Sequence, residues 1–197
     1  MLFRSHSLIG GIMGAGIIGL GFEQLVYGGL AKVFAGIIIA PIGGVIFGVV
    51  LVGIIIAVFA RRRPAVVNRT FGRLQIISST WFALTHGAND GQKTMGIIVL
   101  ILFSADLISE IHMPLWVILA AASAMSLGTF FGGYKVIKTL GLRITRLKPY
   151  QGFAAETGGG IMLAAFAILG IPASTTHAIT GSVMGAGAAR RIRAVRW

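Results

Sequence analysis

The 197-residue chain has no cysteine, which excludes disulfide frameworks, thiolate metal sites and cysteine nucleophiles. Charge is scarce: 11% of residues are Asp, Glu, Lys or Arg, against about 25% in a soluble globular domain. Negative charge is scarcer still, with five acidic residues against 17 Lys and Arg. The sequence lacks HExxH, GxSxG and the P-loop lysine motif, so the hydrolase, metalloprotease and nucleotide-binding readings those patterns carry find no support. A non-enzyme is expected, with no metal or cofactor beyond a coupling ion.

What is abundant is apolar: 56% of residues. Val33 to Ala60, Leu115 to Tyr134 and Thr157 to Ala189 contain no Asp, Glu, Lys or Arg, and each reaches the ~20 residues that cross a bilayer as helix. The sequence therefore predicts an all-α, polytopic membrane bundle. Apart from Arg4, Lys32 and Lys93, every Lys and Arg falls in one of three clusters between the apolar runs: 61–73, 135–148 and 190–196. Interspersed with spans, these cations are a positive-inside signature, and nucleic acid is not an expected partner. Placed in the cytoplasm of a cell whose inner or plasma membrane holds the protein, they leave Glu23, Asp106 and Glu110 on the far side. Spans then fall at about 5–22, 33–60, 74–103 and 115–134. Residues 150–189 must start and end inside, as a helical or re-entrant hairpin turning near Gly170-Ile171-Pro172.

The first residues resemble the n-region of a signal peptide, but Ser5–Gly16 (SHSLIGGIMGAG) matches Thr176–Gly187 (THAITGSVMGAG), which a cleavable leader does not explain. Such internal repeats occur in secondary transporters. Gly10/Gly14, Gly44/Gly48 and Gly181/Gly185 are spaced for close helix packing, and Pro41 is placed to kink the second span.

Two polar constellations interrupt the apolar runs. Thr85–Gly96 contains His86, Asn89, Asp90, Gln92 and Lys93 near the middle of the 74–103 span. A centred Asp or Lys costs ~2.5 kcal/mol or more, so these groups must be paired, hydrated or occupied by an ion. Gly87 and Gly91 are expected to break the helix there, while Asp90 and Lys93 share a face and pair if it continues. The second constellation, Gly170–Gly181, begins a helix with Pro172 as initiator; its unpaired N–H groups and the hydroxyls of Ser174, Thr175 and Thr176 suit an oxyanion. Ordinary capping and helix packing explain the same residues. Glu156 is either an interfacial cap or is carried into the membrane beside that turn to bind a cation.

His86-Gly87-Ala88-Asn89-Asp90 with Gln92-Lys93, followed by Pro172-Ala173-Ser174-Thr175-Thr176-His177 with Thr180-Gly181, resembles the second-half motifs of the PiT inorganic phosphate transporters. The resemblance covers the chain from Ser5 onward. It implies one membrane domain: residues 5–32 as the tail of a first inverted repeat, 33–73 as a connecting span and basic loop, and 74–197 as the second repeat with a discontinuous helix. It further implies secondary transport of phosphate coupled to a cation, with Ser174, Thr175, Thr176, Gln92 and Lys93 binding phosphate and Asn89, Asp90, Glu156 and His86 managing a proton or sodium. Lys93 leans the coupling toward protons. Some relatives carry sulfate or metal–phosphate complexes. Partners implied are phosphate, the lipid bilayer, and a missing first-repeat half or a second copy. A non-transporting membrane subunit or remnant is the alternative.

Overall fold

The computed structural model describes residues 4–139, 147–171, 174–190, 192 and 195. These form α1 (Arg4–Leu20), a 3-10 turn (Phe22–Gln24), α2 (Tyr27–Phe59), α3 (Pro64–Ser104), α4 (Leu115–Thr139), α5 (Pro149–Ile168) and α6 (Thr175–Ala188), with no strand among the described residues. Pro172, Ala173, Arg143, Arg146, Arg191, Arg193 and Arg196 lie outside them, as do the side chains of His6, Lys135 and Lys138.

α2 is apolar on all sides, as a membrane helix must be, yet its faces differ. Ile38, Ile42 and Ile46 point outward, while Gly36, Ala40, Gly44, Gly48 and Val52 are buried. The small face lets α6 approach until backbones touch. A Cβ at Gly44 would meet the Ala178 carbonyl oxygen, and one at Gly181 would meet that of Pro41. The Gly44/Gly48 and Gly181/Gly185 pairs are thus packing devices, as their spacing predicts. Gly10 and Gly14 are not: neither has a described atom within 4 Å of a Cβ built on it, and among the described residues α1 packs chiefly on the turn that follows it.

α5 and α6 form the expected hairpin, turning at Gly170, whose φ of +61° suits a residue without a Cβ. At 14 residues α6 is ~21 Å long, short of a full crossing, and the pair begins and ends at the same end of the bundle. α5 runs parallel to α3, from Gly152 beside Gln75 to Gly160 beside Trp81 and Leu163 beside Asn89. α6 runs parallel to α2. The basic ends of α2, α3, α5 and α6 therefore gather at one end, and the acidic 105–114 loop lies at the other. Phe71 closes the basic end, with edge contacts to Phe59 of α2 and Phe153 of α5, both at 5.2 Å.

Gln151, buried at 6% exposure, ties the hairpin at this end: it accepts from the Lys148 N–H at 3.0 Å and donates to the Ala186 carbonyl at 2.9 Å. Truncating it orphans two backbone groups at a cost of about 2 kcal/mol. Gln151→Ala is expected to lower the detergent-phase melting temperature by about 5 °C, and Gln151→Glu, which keeps the acceptor but sets a buried carboxylate oxygen against the Ala186 carbonyl, by at least as much. Equal melting of Gln151→Ala and the native chain would refute this tie.

Candidate functional site

The expected helix break at Gly87 and Gly91 does not form: α3 is continuous from Pro64 to Ser104. The reason is local satisfaction. Asn89 Nδ2 donates to the Thr85 carbonyl at 2.8 Å and Thr94 Oγ1 to the Asp90 carbonyl at 3.3 Å, both four residues back along the helix. The ionisable side chains neutralise one another, so no backbone group need be released toward them. Gly91 instead admits α4, with Met125 Sδ 3.7 Å from where a Cβ would stand. The discontinuity of this bundle lies between α5 and α6.

Asp90 is the hub. Its Oδ1 lies 3.3 Å from Lys93 Nζ and its Oδ2 lies 3.6 Å from His86 Nε2. Thr175 Oγ1, from the first turn of α6, stands 3.4 Å from both carboxylate oxygens. His86 and Lys93 reach Asp90 because i−4 and i+3 share its helix face; Thr175 reaches it because the hairpin turns at this depth. The Asp90 and Lys93 side chains are 34% and 21% exposed, so the pair is neither sealed in a dry interior nor dispersed in bulk water. Phe82 backs His86, with ring centroids 5.8 Å apart, and His86 Nδ1 is buried without a hydrogen-bond partner among the described residues.

The other predicted residues divide. Asn89 faces α5, its Nδ2 3.5 Å from the Leu163 carbonyl; it is buried and joins α3 to the hairpin rather than to Asp90. Ser174 and Thr175 are buried at the hairpin tip, and Thr176 is half-buried beside them. Ser174 occupies the N-cap position, yet its side chain makes no capping hydrogen bond. Gln92 is exposed, about 200° around α3 from Asp90, and is not gathered with the tip.

Glu156 is not beside the Ser-Thr-Thr turn. It accepts from Ser78 Oγ at 2.6 Å and from Gln75 Nε2 at 3.2 Å, some 18 Å back along α3 from Asp90. The cause is the parallel run of α3 and α5, which holds early α5 against early α3. Gln75 and Ser78 escaped sequence reasoning because Leu74–Leu84 reads as an apolar flank. Their i, i+3 spacing on the face opposite Ile76 was the available signal.

Long apolar helices, large aliphatic side chains turned outward and ionisable groups turned inward define a polytopic helical membrane protein. Residues 4–197 match the phosphate transporter family, and the chain belongs to it. It is 49% identical over 194 residues to a probable low-affinity inorganic phosphate transporter of Rhizobium meliloti (strain 1021), covering 98% of this chain and 58% of that protein. To the protein so described in Bacillus subtilis (strain 168) it is 39% identical, with the same coverage. A solved structure, the sodium-dependent phosphate transporter, shares the fold with a TM-score of 0.84 at 22% identity, over 95% of this chain and 64% of its own. The chain thus spans about 58% of the length of these curated relatives. The family is one of transporters, not enzymes.

Proposed function

We propose that the chain is the second-repeat portion of a secondary transporter that moves inorganic phosphate with a cation across the cytoplasmic membrane, its basic ends inside. It works with the segment its longer relatives possess, or with another copy. One observation carries the reading: the hairpin tip delivers Thr175 to an Asp90–Lys93 pair midway along a membrane helix. The carboxylate lies against the Thr175 hydroxyl in the first turn of α6, and a helix start of this kind suits an oxyanion. Arriving phosphate replaces it there, taking hydrogen bonds from Ser174, Thr175, Thr176 and Lys93.

That exchange sets the coupling. Asp90 and Lys93 already balance, so phosphate entering alone would leave net negative charge in a poorly solvated site; a cation entering with it restores neutrality. Lys93 blocks one approach of a metal ion to Asp90 Oδ1, which favours a proton over sodium, with His86 as a second proton acceptor. Asn89 keeps the hairpin seated, and Glu156 with Ser78 and Gln75 forms a separate polar station nearer the basic end. A carboxylate also accepts a hydrogen bond from a P–OH group. Sulfate has no such proton at neutral pH, and a site built to meet a substrate hydroxyl rejects the analogue lacking it. Phosphate is therefore preferred.

The test is phosphate binding to the chain joined to a first-repeat segment from a relative. Thr175→Val is expected to weaken binding about tenfold, the worth of one hydrogen bond to a charged group, while Thr80→Val on the outer face leaves it unchanged. Equal affinities for the two variants would favour the second reading, a non-transporting subunit whose Asp90 merely neutralises Lys93; the pairing at 3.3 Å is the observation on its side.

A further inference from the structure

The outer face of early α3 carries a pattern that phosphate transport does not use. Arg69 and Arg73 stand one turn apart, exposed, with Thr70 between them, and with Val66 and Leu74 they line a shallow groove of about 380 Å³. Along the same face follow Ile76, Ile77 and Leu84, exposed by 69%, 66% and 66%. At 100° per residue, Arg69, Arg73, Ile76, Ile77 and Leu84 fall within a sector about 100° wide. Thr80 lies in that sector too, but its hydroxyl is bonded back to the Ile76 carbonyl at 2.9 Å, so the surface it presents is effectively apolar.

The arginines have no acidic counterpart. Of the five acids, Asp90 is held by Lys93, His86 and Thr175, and Glu156 by Ser78 and Gln75. Glu23, Asp106 and Glu110 lie beyond the far ends of α2 and α3. Among the described residues no ion pair involves Arg69 or Arg73. Their balancing charge must come from outside the chain. The rise from Arg73 to Leu84 is ~16 Å, close to the ~15 Å of hydrocarbon in one leaflet. The face therefore reads as cations at headgroup height followed by one leaflet's depth of aliphatic surface.

We infer that this face of α3 holds an anionic phospholipid, its phosphodiester between Arg69 and Arg73 and its acyl chains along Ile76, Ile77 and Leu84. Two guanidiniums one turn apart match a phosphodiester better than ammonium groups do, because each presents a planar pair of donors.

Native mass spectrometry of the full chain in detergent, titrated separately with phosphatidylglycerol, phosphatidylcholine and inorganic phosphate, tests the assignment. The expected result is one retained phosphatidylglycerol per chain, preferred over phosphatidylcholine and not displaced by millimolar phosphate. Arg69→Gln/Arg73→Gln should weaken retention about 30-fold, at ~1 kcal/mol per cation. The charge-matched Arg61→Gln/Arg62→Gln pair, off this face, should weaken it less than about threefold. Arg69→Lys/Arg73→Lys, the milder change should the glutamine pair unfold, should fall between. Equal losses in the two glutamine pairs would reduce the site to a diffuse basic field. Displacement by inorganic phosphate would make it a small-anion site, and retention of neither lipid would assign the face to protein contact; each of these overturns the inference.

Discussion

Replacing Gly185 by valine is expected to pull the hairpin off α2. A Cβ at this position would meet the Val45 carbonyl oxygen and stand 2.8 Å from that residue's carbonyl carbon and Cα. These are backbone atoms of a helix, which cannot swing aside as the end of a side chain can. In lipid no hydrophobic effect holds two apolar helices together, so association rests on the dispersion contacts that close approach permits; a gap of an ångström forfeits a quarter to a half of each. Overpacking of this kind costs about 3 kcal/mol or more. The loss also reaches the site, because Thr175 is held against Asp90 by the seating of α6. Melting followed by circular dichroism, with limited proteolysis between α5 and α6, measures the effect. Gly53→Ala is the internal control: it lies on α2, the helix against which α6 packs, with nothing within 4 Å of its Cβ, and alanine there gains up to ~1 kcal/mol of helix propensity. Should Gly185→Val melt with Gly53→Ala, the glycine interlock is not what seats the hairpin.

The contrast between those two glycines marks what a sequence can disclose. Span lengths, the hairpin and the gathering of cations at one end follow from hydropathy and charge, quantities that each residue carries by itself. Gly44 and Gly181 were legible as packing pairs because spacing alone puts them on one face. Gly10 and Gly14 have the same spacing but no described partner, since spacing records readiness for contact and not the neighbour. At Gly87 and Gly91 the failure ran the other way. Glycine permits a break without requiring one, and Thr85, Thr94 and the Asp90 charge cluster satisfied the helix from within. Asp90, Lys93 and Thr175 were each legible as costly or unusual groups for a membrane, although the meeting of Thr175 with Asp90 depends on the depth of the turn. The placement of Glu156 beside the turn failed for want of one fact, that α5 runs parallel to α3, and its partners Gln75 and Ser78 were passed over inside a flank that reads as apolar.

Asp90→Asn is the substitution expected to silence the protein while leaving it folded. The amide keeps the size of the side chain and can still hydrogen-bond Thr175, but the countercharge of Lys93 is gone and the proton or metal ion loses its binding group. A charged hydrogen bond is worth up to about 3 kcal/mol, or about 100-fold in occupancy of the coupling site. Phosphate uptake into proteoliposomes holding the chain with a first-repeat segment should fall by about that factor. Asp90→Glu, one methylene longer, should retain a measurable fraction. The decisive comparison is the double substitution Asp90→Asn/Lys93→Met. If the pair at 3.3 Å exists only to bury a cation safely, removing both charges repairs the defect of Asp90→Asn, and uptake recovers with stability. If Asp90 is the group on which the travelling ion rests, the double variant melts like the native chain and still transports nothing. Recovery of uptake in the double variant would sink the proposed coupling; recovery of stability alone marks Asp90 as the ion's seat only where the loss of uptake exceeds that of Lys93→Met by itself, because Lys93 also donates to phosphate.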